Sequence, residues 1–186
     1  MLCLIGTIFV LLQTIRPWLR LPTVWEVCGR SFPPTKTRKR ENDKRPMETI
    51  KNQKFGGERP LFGVHDVRLE DIEIVDGESG IKCCKQVECH NSKFYGKYPW
   101  WHVDGSLITN CYFAPGSRSA IWYSDDMVMR DCVIDGPKFF REMKNVTLEN
   151  VKITDADETF WRIDGLKIKN VELHQGTYPF MFSKNI

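Results

Sequence analysis

The segment Val146-Thr147-Leu148-Glu149-Asn150-Val151-Lys152-Ile153 contains the pattern that decides the fold of this chain. Its first, third, sixth and eighth residues are apolar, and its fifth residue is asparagine. The same pattern occurs six times, at residues 67–74, 87–94, 106–113, 127–134, 146–153 and 166–173. The copies begin 20, 19, 21, 19 and 20 residues apart. This regular spacing predicts an internal repeat of about twenty residues.

The pattern is too complete to be a product of composition. Of its 24 apolar positions, 22 hold apolar residues, whereas a composition of 41% apolar residues would fill about ten. The two exceptions are Ser92 and Ser106. The fifth position is always Asp or Asn, namely Asp71, Asn91, Asn110, Asp131, Asn150 and Asn170.

The spacing inside each copy predicts two short strands joined by a corner. Positions one and three alternate as in a strand, and so do positions six and eight, but the step from three to six breaks the period of two. The chain must therefore turn at positions four and five. Asp and Asn tolerate the left-handed backbone that such a corner requires. We expect the stacked Asn side chains to form hydrogen bonds from one repeat to the next.

A third apolar site precedes each copy by six residues. Its members are Leu61, Ile81, Trp100, Ile121, Phe140, Phe160 and, before a missing copy, Phe180. A second turn, such as Asp104-Gly105 or Asp164-Gly165, lies between this site and the copy. Twenty residues are too few for a helical-hairpin repeat. The sequence therefore predicts an all-β, single-stranded parallel β-helix of six to seven coils, with neighbouring coils about 4.8 Å apart.

This pattern resembles the right-handed parallel β-helix proteins of pectin-lyase type. Residues 47–186 are similar to an uncharacterised bacterial family, one of the domains of unknown function. The stretch Ile50-Lys51-Asn52-Gln53-Lys54-Phe55-Gly56-Gly57-Glu58-Arg59-Pro60-Leu61-Phe62 matches the N-terminal start of that family. The resemblance implies a right-handed coil and a groove along one sheet. It implies no activity.

Charge divides the chain into two parts. Residues 1–46 hold nine Lys or Arg and three acidic residues, whereas residues 47–186 hold eighteen and twenty-one. The net charge of +3 therefore comes from the first part. The acidic balance of residues 47–186 argues against a nucleic-acid partner, because such a surface needs clustered positive charge.

Residues 1–46 also lack the repeat. Residues 1–15 carry no charge, but this run is shorter than the roughly 20 residues of a membrane span, and four prolines between residues 17 and 34 interrupt any long helix. The basic stretch before Met47 resembles a ribosome-binding sequence translated in frame. An unpacked extension, a non-native extension before a true start at Met47, and a membrane anchor are the three interpretations. No membrane contact is expected of residues 47–186.

The rest of the chain divides into an N-terminal cap, residues 47–60, and the β-helix, residues 61–186. A β-helix needs a cap at each end, because an uncapped coil exposes unpaired backbone and an apolar cross-section. Residues 180–186 begin a further coil and then stop. We therefore expect a C-terminal end that is truncated or that pairs with another copy in a homo-oligomer.

Two columns that follow the third apolar site contain the candidate ligand-binding residues. One residue after the site come Lys82, Trp101, Trp122, Arg141 and Trp161, and two residues after it come Cys83, His102, Tyr123, Glu142 and Arg162. Strand parity leaves open which column faces solvent. Aromatic rings and basic groups in an outward column predict carbohydrate binding. The alternative is that the tryptophans fill a wide core and that the protein is a non-catalytic scaffold that assembles through its C-terminal coil.

Carboxyl groups near these columns give weak candidates for catalysis. Glycosidic chemistry needs two carboxyl groups at a defined separation, and Glu142, Asp125 and Asp126 are the candidates. Asp also favours turns, so the sequence leaves open whether the protein is an enzyme. No metal-ligand spacing or cofactor motif is present. Seven cysteines without a zinc pattern, three of them in inward positions (Cys89, Cys111 and Cys132), favour a reducing cytoplasm.

Overall fold

The computed structural model describes residues 46–186, so the interpretations of residues 1–45 lie outside the described part. The described residues form parallel strands and no helix. The strands are β1 (Glu48–Lys51), β2 (Lys54–Phe55), β3 (Leu61–Phe62), β4 (His65–Glu70), β5 (Glu73–Ile74), β6 (Ile81–His90), β7 (Lys93–Phe94), β8 (Trp100–Thr109), β9 (Tyr112–Phe113), β10 (Ile121–Trp122), β11 (Met127–Ile134), β12 (Arg141–Ile153) and β13 (Trp161–Leu173).

The strand register confirms the predicted parallel β-helix of about twenty residues per coil. Each residue in position one of the pattern pairs with the same position of the next copy, in the order Val67, Val87, Ser106, Met127, Val146 and Leu166. Strands of the same coil never pair with each other among the described residues. Matching residues of successive copies therefore lie directly above one another.

The predicted corner lies at position five. All six Asp and Asn residues there have a left-handed backbone, with φ between 50° and 54°. The expected hydrogen bonds between repeats are present, since Asn110 Nδ2 donates to Asn91 Oδ1 at 2.8 Å and Asn150 Nδ2 donates to Asp131 Oδ1 at 2.9 Å. Asn170 Nδ2 continues the ladder to Asn150 Oδ1 at 3.1 Å.

The core follows the apolar positions of the pattern. In the first five copies all four inward positions are buried, including Ser92 and Ser106. Each serine is satisfied inside the core, because Ser92 Oγ donates to the His90 carbonyl and Ser106 Oγ accepts from Trp100 Nε1. In the sixth copy only Leu166 is buried. The last coil therefore has one open face.

A further inward column was not apparent in the sequence. It lies three residues after the third apolar site and consists of the buried residues Cys84, Val103, Ser124, Met143 and Ile163. Chemically mixed residues hide this column, since it includes a thiol and a hydroxyl. Because the third apolar site and this column both point inward, the two residues between them both lie on the outside of the coil.

Residues 48–55 form one more copy of the two-strand pattern, before the first copy recognised in the sequence. β1 pairs in register with β4, and β2 pairs with β5. Asn52 occupies the corner with a φ of 53°. Glu48 and Gln53 stand where the other copies have apolar residues, which obscured the pattern. The division of the chain at residues 46, 60 and 61 stays a prediction.

Candidate functional site

Both candidate columns lie on the outer surface, so strand parity does not exclude either of them. The second column has a left-handed backbone, with φ between 53° and 55° at Cys83, His102, Tyr123, Glu142 and Arg162. This corner interrupts the alternation of the strand and turns two successive side chains outward. Trp101, Trp122 and Trp161 are half-buried there and do not fill the core. Among the tryptophans of residues 46–186, the fully buried one is their neighbour Trp100.

The first column is a continuous stack of rings and cations. The rings of Trp101 and Trp122 stack with centroids 5.0 Å apart and an interplanar angle of 29°. The Arg141 guanidinium carbon lies 5.0 Å from the Trp122 centroid and 4.9 Å from the Trp161 centroid. Lys82 Nζ lies 5.9 Å from the Trp101 centroid at the other end. Cation–π attraction and ring stacking therefore stabilise the column along its length.

The second column is also stacked, but its charged groups are more exposed. The rings of His102 and Tyr123 stack with centroids 4.8 Å apart and an angle of 11°. Arg162 Nη1 forms an ion pair with Glu142 Oε1 at 3.0 Å. Burial lowers the pKa of His102, and the nearby Lys82 lowers it further, while Asp104 opposes the shift. The imidazole is therefore neutral at neutral pH and can donate one hydrogen bond and accept another.

An open groove of about 430 Å³ runs beside the second column. Its walls come from that column and from the next corner, and they include His102, Tyr123, Glu142 and Arg162 together with Asp104, Asp125, Lys144 and Asp164. These residues belong to four successive coils, so the groove extends for about 14 Å at the coil spacing of a β-helix. Carboxylates, cations and aromatic rings alternate along it.

The carboxyl groups proposed for catalysis have structural partners. Asp125 Oδ1 accepts the Lys144 backbone N–H at 2.8 Å, and Asp126 Oδ1 accepts Asn145 Nδ2 at 2.8 Å. Glu142 lies in the groove with Asp125, whereas Asp126 does not line it. The hydrogen bonds from Asn185 and Lys184 lower the pKa of Asp164, the fourth carboxyl group of the groove.

Glu158 and Lys138 were missed in the sequence and belong to the site. Glu158 forms an ion pair with Arg141, and Lys138 Nζ lies 3.3 Å from Glu158 Oε1. The hydrogen bond from Arg141 lowers the pKa of Glu158, and Lys138 adds to this effect against the opposing effect of burial. Both residues lie in turns outside the repeated pattern. Glu158 lies 17 residues after Arg141 along the chain, so the sequence gave no signal of this contact.

Other kinds of site are not seen among the described residues. No group of three or more His, Cys, Asp or Glu side chains in residues 46–186 has the arrangement of a metal site. The same residues include no helix that is long and apolar enough to span a membrane. The cytoplasmic location stays a prediction. Contact with Cys111 and burial raise the pKa of the inward Cys132 thiol.

Fold and surface together define a parallel β-helix protein with stacked aromatic and charged columns beside a groove. The profile of a family described as "Protein of unknown function (DUF3737)" matches residues 48–186, and the chain belongs to this family. No curated protein and no solved structure matches the chain. The family description assigns no activity.

Proposed function

We propose that the chain binds an extended carbohydrate in the groove beside the second column. The supporting observation is the groove itself, along which carboxylates, cations and aromatic rings alternate over four successive coils. The left-handed corner turns Tyr123, Glu142 and Arg162 outward, so that their polar groups line this groove. Polar groups that converge along a concave surface are typical of a ligand-binding site.

The stacking in the first column decides how a sugar would bind. Trp122 has one face against Trp101 and the other against Arg141, so neither face is available for a pyranose ring. A sugar therefore contacts ring edges and hydrogen-bonds within the groove. Carboxylates of Glu142 and Asp125 accept from sugar hydroxyl groups, and Arg162 donates to them.

The same geometry favours binding over hydrolysis. A general acid in glycoside cleavage needs a carboxyl group whose pKa is raised. In the groove the pKa of Asp164 is lowered instead, while Asp125 caps a backbone N–H and Glu142 pairs with Arg162. We therefore assign the three catalytic candidates of the sequence to ligand hydrogen bonding and to the turn.

A glycan array followed by calorimetry tests this function. We expect an oligosaccharide of several units to bind, and we expect Glu142→Gln to weaken its binding about tenfold, because a hydrogen bond to a charged group is lost. Glu149→Gln is the matched control, since Glu149 forms ion pairs with Lys169 and Arg130 outside the groove. The proposal fails if no glycan binds, or if both variants weaken binding equally. Release of shorter sugars would show that the protein is an enzyme.

A scaffold function is the second candidate, and the last described coil supports it. Ile168 occupies an inward position of the pattern but is 43% exposed, and Tyr178 and Phe182 are each 67% exposed. Exposed apolar groups next to a strand edge are typical of surfaces that bind other chains. In this proposal the protein forms a homo-oligomer through this coil.

A further inference from the structure

A second cluster of charges lies outside the groove, where two cations converge on one carboxylate. Arg141 and Lys138 both contact Glu158. The backbone N–H of Glu158 donates to the Thr177 carbonyl at 2.8 Å, so the main chain at this residue is fixed. Only the side chain of Glu158 needs to rotate for the two cations to become available.

Arg141 is unusually enclosed for a charged residue. Its side chain is 15% exposed, and its guanidinium lies between Trp122 and Trp161. Its Nε–H is buried and has no hydrogen-bond acceptor. A buried donor without a partner is destabilising, because it has lost its hydrogen bonds to water.

Glu158 accepts only part of the hydrogen bonds that the Arg141 guanidinium can donate. Glu158 Oε2 accepts from Nη2 of Arg141 alone, while its other oxygen contacts Lys138. Arginine binds carboxylates and similar oxyanions best through two parallel N–H donors. The nearby Asp157 does not supply the missing acceptor, since its Oδ1 accepts from the backbone N–H and the hydroxyl of Thr177.

We propose that Arg141 and Lys138 form a binding site for a carboxylate or another oxyanion group, and that the Glu158 side chain occupies this site in the absence of a ligand. The indole rings of Trp122 and Trp161 hold the guanidinium in place and limit its hydration. An external oxyanion gains access when Glu158 rotates outward, and it accepts from Arg141 and Lys138 in its place. This inference does not depend on carbohydrate binding in the groove.

Anion titration of Glu158→Gln tests the site. Tryptophan fluorescence is the readout, because Trp122 and Trp161 contact Arg141, and sodium chloride keeps the ionic strength constant. While the Glu158 side chain occupies the site, an external ligand cannot bind. The apparent dissociation constant of the ligand is therefore its intrinsic value divided by the fraction of molecules whose site is open. We therefore expect the dissociation constant for sulfate to be at least tenfold lower in Glu158→Gln than in the native chain. A parallel titration with acetate distinguishes a carboxylate site from a site for tetrahedral oxyanions.

Glu149→Gln is the control for a simple change of charge, since Glu149 also contacts two cations but has no aromatic walls. Equal gains in the two variants, or no gain in Glu158→Gln, would overturn the proposal. Circular dichroism checks that Glu158→Gln is folded. If it is not folded, sulfate titration of the Lys138→Gln variant, with Glu158 unchanged, tests the site instead. Sulfate binding must then weaken at least threefold, and an unchanged dissociation constant rejects the site.

Discussion

At the scale of single residues, left-handed corners decide which side chains meet solvent. The corner of the repeated pattern carries only Asp or Asn, which tolerate this backbone and also bond to each other between coils. The corner of the second column carries larger side chains that also contact each other between coils, since Arg162 pairs with Glu142 and Tyr123 stacks on His102. Left-handed residues also occur at other corners, as at Gln86 and Lys138, so this backbone is a general feature of the coil.

Two substitutions of Asn110 separate the hydrogen bond of a ladder residue from its tolerance of the left-handed backbone. Asn110→Ala removes the hydrogen bond to Asn91 and replaces Asn by a residue that tolerates the left-handed backbone less well, so we expect a loss of about 2 kcal/mol in the free energy of unfolding. Asn110→Gly removes the same hydrogen bond, but glycine adopts the left-handed backbone readily, so this variant should cost only about 1 kcal/mol. Urea denaturation compares the two variants. Equal losses would show that the left-handed backbone contributes nothing.

At the scale of the structural elements, each strand contributes inward residues to a shared core. β8, β11 and β12 are covered by a coil on both sides, and their inward side chains are buried. β13 pairs only with β12 among the described strands. The same position in the pattern therefore has a different environment in a central coil and in the last one.

Equivalent substitutions at position three should separate these environments. Ile108 is fully buried, and Ile108→Ala should reduce the free energy of unfolding by about 2–5 kcal/mol through lost burial and a cavity. Ile168→Ala is the matched control in the last coil and should cost about 1 kcal/mol or less, because Ile168 is already partly exposed. Chemical denaturation measures both. A similar cost at the two positions would contradict the predicted order.

At the scale of the whole molecule, a β-helix is a stack in which each coil contacts mainly its neighbours. The described coils have a full core from the first copy to the fifth, and the sixth copy leaves apolar groups exposed. A surface of this kind lowers its free energy when another chain covers it.

Association in solution tests the scaffold function. We expect the weight-average mass of the chain in sedimentation experiments to rise with concentration, and we expect Ile168→Lys to abolish this rise by placing a charge on the exposed face. Val75→Lys is the control, because Val75 is similarly exposed, at 41%, but lies in an earlier coil. A mass that stays at 21.7 kDa at every concentration would reject the scaffold function.

Much of the fold could be predicted from the sequence, because the pattern is local and repeats. The apolar positions identified the core, and the Asp or Asn of each copy identified a corner. The column of Cys84, Val103 and Ser124 was missed, since no common chemistry links these residues. The first coil was also hidden, because Glu48 and Gln53 replace apolar residues there.

The candidate site was also predicted from the sequence only in part. The sequence by itself determined the coil length, the stacking of matching residues and therefore the membership of both surface columns, because all three follow from a fixed period. Only the tertiary structure decided that both columns face outward, that Arg141 lies between two indoles and that Glu158 contacts Arg141. The first depends on a backbone conformation that the side chains do not favour, and the other two depend on turns outside the repeat that reach the column only when the coils are stacked.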